Sequence, residues 1–132
     1  MKFEHIALNV PDAAAATDWY CQHLGLQVVG TTGSGGAFFL GDETGRSCLE
    51  FYSNTDPAPP AYAAMHRTTL HVAFVSGDLE AERTRLEAIG AVRDGEIVGP
   101  ADGARLLFMR DPWGLAIQFV KRPTPLGPAG AQ

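Results

Sequence analysis

Apolar and polar positions follow two different periods along this chain, and the switch between them occurs twice. From His5 the run HIALNVPD alternates at period two, then gives way over AAAATDWYCQHLG to apolar positions three and four apart. From His71 the run HVAFVSGD alternates in the same way and yields to LEAERTRLEAIG. In each segment a His inside an apolar strand is followed seven positions later by an Asp (Asp12, Asp78), and a Gly (Gly25, Gly90) closes the block. An Asp there is a helix N-cap whose carboxylate accepts from the unpaired amides of the first turn. A Gly there supplies the left-handed residue that ends a helix. The spacing predicts helices over 12–24, burying Ala16, Trp19, Tyr20 and Leu24, and over 79–89, burying Leu79, Leu86 and Ile89.

Three short β-type runs follow each helix: 27–30, 37–40 and 46–52, then 92–98, 105–110 and 115–121. Turn residues separate them. Gly33-Ser34-Gly35-Gly36 and Asp42-Glu43-Thr44-Gly45 serve the first set, and Asp111-Pro112-Trp113-Gly114, with Pro at i+1 and Gly at i+3, serves the second. The predicted class is α+β, as two βαβββ modules within one domain over 1–122. Module one covers 1–53, a linker with Pro57, Pro59 and Pro60 covers 54–67, and module two covers 68–122. The tail 123–132, with three prolines and two glycines, is predicted to be flexible.

Composition narrows the function. The chain has 132 residues, 45% hydrophobic and 19% charged, with 10 Lys+Arg against 15 Asp+Glu and a formal charge of −5. A chain this long buries roughly two-thirds of its unfolded surface, enough for a core without staples. The acidic balance argues against nucleic acid and anionic membranes, which are held by basic patches. A small molecule fits better. No run approaches the ~20 apolar residues of a membrane span, and the polar start Met-Lys-Phe-Glu-His lacks a secretory leader, so the expected location is cytoplasmic. Cys21 and Cys48 match neither a CxxC motif nor a disulfide framework and read as buried thiols.

Strand parity exposes the candidate chemistry. Ile6 and Leu8 share one face of the first strand, opposite His5, Ala7 and Asn9; Leu70, Val72 and Phe74 share the corresponding face opposite His71 and Ala73. In the strand closing each module, Leu49 and Phe51 alternate with Glu50, and Ile117 and Phe119 alternate with Gln118. The aliphatic faces should meet the helices. His5, Glu50, His71 and Gln118 are left on the face turned away. Polar groups in mid-strand need partners or a use, and two imidazoles, a carboxylate and an amide oxygen together suit a divalent ion such as Zn, Ni, Co, Fe or Mn with positions left for substrate.

In HIALNVPD, HVAFVSGDLE and DPWGLAIQF, taken in order over residues 3–121, the sequence resembles the vicinal oxygen chelate superfamily. That superfamily includes glyoxalase I, methylmalonyl-CoA epimerase, extradiol dioxygenases, fosfomycin-resistance enzymes and bleomycin-resistance proteins. The resemblance implies a curled half-barrel sheet with helices outside, metal ligands at His5, Glu50, His71 and Gln118, and a homodimer. It implies glyoxalase-like isomerase, epimerase or lyase chemistry on a small-molecule substrate, with Glu50 as ligand and base. Bacterial glyoxalase I closes its set with a Glu where this chain has Gln118, which cannot take a proton near neutrality. Asn9 stands where those enzymes carry an Arg for a glutathione carboxylate. The epimerases hold a Gln in the first module and a Glu in the last, the reverse of the order here.

Two alternatives accompany this reading. A metal-free drug-sequestering protein of the bleomycin-resistance kind would use the same groove without catalysis. An extradiol-type dioxygenase would hold Fe(II) on two His and a carboxylate. Tyr52, Phe38, Phe108 and Met109 are pocket-lining candidates that also suit plain packing; Arg105 and Arg67 are the better anion anchors among Arg46, Arg67, Arg105 and Arg110; His23 reads as a helix C-terminal cap, and His66 lies in the linker.

Overall fold

The computed structural model describes residues 1–45 and 48–127. The chain divides into two compact units, Met1–Ala61 and Tyr62–Gln132. Each is a βαβββ module.

In the first unit the elements are β1 (His5–Asn9), α1 (Ala13–Leu24), β2 (Gln27–Thr31), β3 (Ala37–Gly41) and β4 (Cys48–Tyr52). They form one sheet of order β1-β4-β3-β2, with β1 parallel to β4 and the other pairs antiparallel. Helix α1 starts where the pattern requires: the Asp12 carboxylate accepts from the Ala15 amide, and Gly25 at φ 73° ends it. Its buried face is Ala13, Ala16, Thr17 and Tyr20, while Trp19 and Leu24 are only partly covered. Tyr20 meets Phe51 edge to face at 4.9 Å, which seats the helix on β4. The predicted run 46–52 begins at Cys48 in the structure; Arg46 and Ser47 lie outside the described residues.

In the second unit a 3-10 turn (Tyr62–Ala64) precedes β5 (Val72–Val75), α2 (Leu79–Glu87), β6 (Val92–Arg93), β7 (Arg105–Arg110) and β8 (Ala116–Lys121). The sheet order β5-β8-β7-β6 repeats the first, again with the opening strand parallel to the closing one. Asp78 caps α2 through the Ala81 amide with the backbone of Asp12, φ −144° in both. The helix ends sooner than the predicted 89, and Gly90 at φ 90° completes the exit, with the Ala91 amide reaching back to the Leu86 carbonyl. Leu79 and Leu86 are fully buried beside Leu107, Met109 and Ile117, whereas Ile89, past the helix, is exposed.

Three expectations need correction. Ile6, expected beneath the helix with Leu8, is 46% exposed because α1 lies over β2, β3 and β4 and leaves the start of β1, at the sheet edge, uncovered. The predicted strand 92–98 pairs only over Val92–Arg93 and again at Val98, because Gly95 turns the chain at φ 91° between them. Cys21 and Cys48 are free and half-buried rather than buried.

The Pro-rich stretch is fastened at both ends. Asn9 donates to the Asn54 and Pro57 carbonyls and accepts from the Asn54 amide, and the Ser53 hydroxyl bridges Val10 and Ala13. In the second unit Arg110 donates to the Tyr62, Met65 and Gly114 carbonyls while pairing with Asp94 at 2.6 Å, so one guanidinium holds the 3-10 turn on the sheet. The turn Asp111-Pro112-Trp113-Gly114 forms as predicted, with the Asp111 carboxylate accepting from the Trp113 and Leu115 amides. The tail runs on from Arg122 as far as Gly127; residues 128–132, the rest of the predicted flexible tail, lie outside the described residues.

Candidate functional site

The repeat seen in the sequence is a repeat in register. His5 lies opposite Cys48 on β4, and two residues on Ala7 lies opposite Glu50. His71 immediately precedes β5, and two residues on Ala73 lies opposite Gln118. On the other flank Glu50 pairs with Phe39 and Gln118 with Phe108. The rings repeat the relation: His5 meets Phe39 edge-on at 5.4 Å, and His71 meets Phe108 edge-on at 5.4 Å. Each module thus builds a corner from an imidazole, a phenyl ring and one long polar side chain.

His71 Nδ1 lies 3.0 Å from the Arg67 carbonyl, which can only accept, so in the neutral ring Nδ1 carries the hydrogen and Nε2 the lone pair. At His5 both ring nitrogens face a carboxylate, Nδ1 at 2.5 Å from Glu4 and Nε2 at 3.2 Å from Glu50, so a hydrogen on either has an acceptor. An imidazole whose far nitrogen is tied to a carboxylate or a carbonyl is the usual arrangement of a metal ligand.

His5 and Glu50 are therefore brought together in the first unit, and His71 and Gln118 take the matching places in the second. Among the described residues no group of three or more His, Cys, Asp or Glu is gathered tightly enough to hold a metal. The four predicted ligands fall two and two to the repeats. In each unit the donor types, a ring nitrogen and a side-chain oxygen, are ones a divalent ion accepts, and of the two oxygens only that of Glu50 carries charge.

A cleft of about 380 Å³ beside the His5 corner is lined by Phe3, Glu4, Val29, Gly30, Phe39 and Cys48. Burial, and then the nearby carboxylates of Glu4 and Glu50, push the Cys48 thiol above its ordinary pKa, so it stays protonated and unreactive near neutrality. In the second unit a cavity of about 280 Å³ lies over the Gln118 face, between Ala73 and Val75 of β5, Val120 and Arg122 at the end of β8, and Leu126.

Several predicted lining residues have other duties. Met109 is fully buried on the helix side, and Phe38 pairs with Phe51 rather than with Glu50. The Arg67 guanidinium lies over the Phe108 ring at 4.8 Å and donates to the Asp94 carbonyl, and Arg105 pairs with Glu80 at 2.7 Å; neither is a free anion anchor. Arg46 lies outside the described residues. Asn9, which occupies the place of a glutathione-binding Arg in the resemblance, ties down the Pro-rich segment instead. Glu4, Phe39 and Arg122 were not singled out from sequence. Counting strand parity outward from Glu50 to β3, and from Gln118 to Arg122, finds the last two; nothing in the sequence ties Glu4 to His5 beyond adjacency.

Residues 2–119 match the family model of the Glyoxalase/Bleomycin resistance protein/Dioxygenase superfamily, and the chain belongs to that superfamily. Solved structures share its fold at low identity. An antibiotic binding protein, TnmS3 from Streptomyces sp. CB03234, is 18% identical over 92% of this chain and 96% of its own, with a TM-score of 0.71. A superfamily member from Sphaerobacter thermophilus DSM 20745 is 15% identical over 92% and 98%, with a TM-score of 0.73. A glyoxalase/dioxygenase from Nostoc punctiforme is 23% identical over 93% and 92%, with a TM-score of 0.73. No curated protein matches the chain.

Proposed function

We propose that the chain is a divalent-metal-dependent enzyme of the glyoxalase type, acting on a small molecule that presents vicinal oxygens, with His5, Glu50, His71 and Gln118 as the ligands. The observation that carries this reading is the matched tethering of the two imidazoles. Each holds Nδ1 against an acceptor, the Glu4 carboxylate or the Arg67 carbonyl, as metal-ligating imidazoles do, and at His5 the Nε2 side faces the Glu50 carboxylate at 3.2 Å. A bound ion, whether Zn, Ni, Co, Fe or Mn, supplies electrophilic stabilisation of developing oxyanions. Glu50 is the base: it is the one carboxylate of the four, 16% exposed, and Gln118 cannot accept a proton. The working form is a homodimer in the cytoplasm; the exposed apolar groups on the edge strands, Ile6 on β1 and Val75 on β5, support an association that covers them. Among the described residues no helix is long and apolar enough to cross a membrane.

Elemental analysis of protein purified without chelator, followed by a screen of α-keto, hemithioacetal, CoA-thioester and catechol substrates, tests the reading. Glu50→Gln should keep substrate binding and lose about 100-fold or more in turnover. Full turnover in Glu50→Gln removes Glu50 as base. Iron with ring cleavage of catechols would select the dioxygenase variant.

A second reading has its own support. Among the described residues no three His, Cys, Asp or Glu side chains gather, and TnmS3, which shares the fold, is described as an antibiotic binding protein; both support a protein that sequesters a small molecule without metal. Protein that carries no metal and takes none up on titration selects this reading.

A further inference from the structure

The cavity over Gln118 has a chemistry of its own. Its walls are mostly apolar, from Ala73, Val75, Val120 and Leu126, and among the described residues its single charged lining residue is Arg122. Gln118, Val120 and Arg122 share one face of β8 and its continuation by strand parity, so the amide and the guanidinium reach the same hollow. The segment after β8 is fixed by two contacts. Arg122 Nη1 lies 3.5 Å from the Asp102 carboxylate, and Pro123 packs against Gly103, where an added Cβ would lie 3.5 Å from the proline ring. That anchoring sets Pro125 and Leu126 along the cavity, and Leu126 is 78% exposed there. At 3.5 Å the Asp102 contact is at the outer limit of a hydrogen bond. It engages one nitrogen and leaves the rest of the guanidinium fork without a partner among the described residues.

We infer that Arg122, Gln118 and the segment through Leu126 form a subsite for a carboxylate carried on a small apolar body, and that the site prefers such anions to neutral or cationic ligands of the same shape. A guanidinium fork binds a carboxylate through paired, charge-assisted hydrogen bonds. Among the described residues no carboxylate lines the cavity to offset a cation. At about 280 Å³ the cavity sits at the small end of ligand sites, sized for one fused or substituted ring. The preference runs against the net charge of −5, which by itself would favour cations. This inference deepens the small-molecule reading above and rests on it for the site's use, but not on the metal.

A charge series on one body tests it: 2-naphthoate, 2-naphthamide and 2-naphthamidine, titrated into the full chain and followed at the Gln118 side-chain amide by NMR, with metal uptake measured on the same preparation. The expected order of affinity is naphthoate, then naphthamide, then naphthamidine. Arg122→Gln should cost naphthoate about tenfold or more and leave naphthamide nearly unchanged. Arg122→Lys should retain the order with a smaller spread, and deletion of residues 125–132 should weaken all three together. A flat series in the wild-type chain, or naphthoate binding unaffected by Arg122→Gln in a chain with an unchanged spectrum, overturns the inference. Metal uptake with a flat series overturns the subsite alone; a charge preference without metal uptake overturns the metal-dependent reading alone.

Discussion

The two modules are built to one plan and differ where chemistry enters. Each opens on an edge strand parallel to its closing strand, caps its helix with an Asp of the same backbone geometry, and sets an imidazole edge-on to a phenyl ring at 5.4 Å. The departures are local. Module one places a carboxylate, Glu50, beside its histidine; module two places an amide, Gln118, and covers its phenyl ring with Arg67. Where module one uses Asn9 to secure its exit segment, module two carries Val75, 86% exposed. A duplicated framework thus fixes the positions of the polar groups, and the residue at each matched position decides charge, proton capacity and preferred ligand.

The likeness breaks most visibly in the cores. Phe51 and Phe119 occupy corresponding places, 0% and 3% exposed, and replacing either with Ala should cost about 3–5 kcal/mol in chemical denaturation. Phe51→Ala should be the costlier by about 1 kcal/mol, because its edge contact at 4.9 Å is with the fully buried Tyr20 ring, whereas Phe119 stacks at 5.9 Å on the partly exposed Phe74; equal costs would mean that the two contacts are worth the same. Next come the glycines. Gly114→Ala should cost about 3 kcal/mol, since its φ of 85° is compounded by a Cβ that would stand 2.6 Å from the Ala63 Cβ. Gly25→Ala, at φ 73° in open space, should cost about 1 kcal/mol. Asp12→Ala and Asp78→Ala should each cost about 1 kcal/mol and match each other, the sharpest check that the two caps are equivalent.

The smallest effect belongs to Glu80, which only the second module pairs across to its sheet. A hydrogen bond from Arg105 holds the Glu80 carboxyl below its ordinary pKa. A group depressed in the folded state stabilises above its unfolded pKa and loses that contribution as pH falls through the folded value. The pair is exposed, so the contribution is slight and salt-sensitive. Arg105→Ala should return the Glu80 titration, followed by NMR, to the usual carboxylate range; an unmoved titration would show that the ion pair is not the cause.

Much of this arrangement can be read from the chain because the signals are short-range. Asp12, Gly25, Asp78 and Gly90 act on their own helix ends, and period-two alternation assigns Glu50 and Gln118 to the face away from Leu49, Phe51, Ile117 and Phe119. What escapes depends on contacts between distant segments. Ile6 looks like a core residue until the sheet order leaves β1 at the edge. Arg67 and Arg105 look like anion anchors until Asp94, Phe108 and Glu80 claim them. Pro123 looks like the start of a tail until its contact with Gly103, beside the Arg122–Asp102 pair, holds the chain along the Gln118 face. The candidate ligands are identifiable by parity, whereas the acceptors at their Nδ1 atoms, Glu4 and the Arg67 carbonyl, emerge only with the fold.

Titration of apo protein with Co(II), read by its visible absorption and by calorimetry, puts the proposed ligand set of His5, Glu50, His71 and Gln118 on trial. One ion per chain is expected in the wild type, with binding lost in both His5→Ala and His71→Ala and affinity about 10- to 100-fold weaker in Glu4→Gln, where the His5 tether is loosened. No uptake by the wild type, or uptake indifferent to either histidine, would rule that set out.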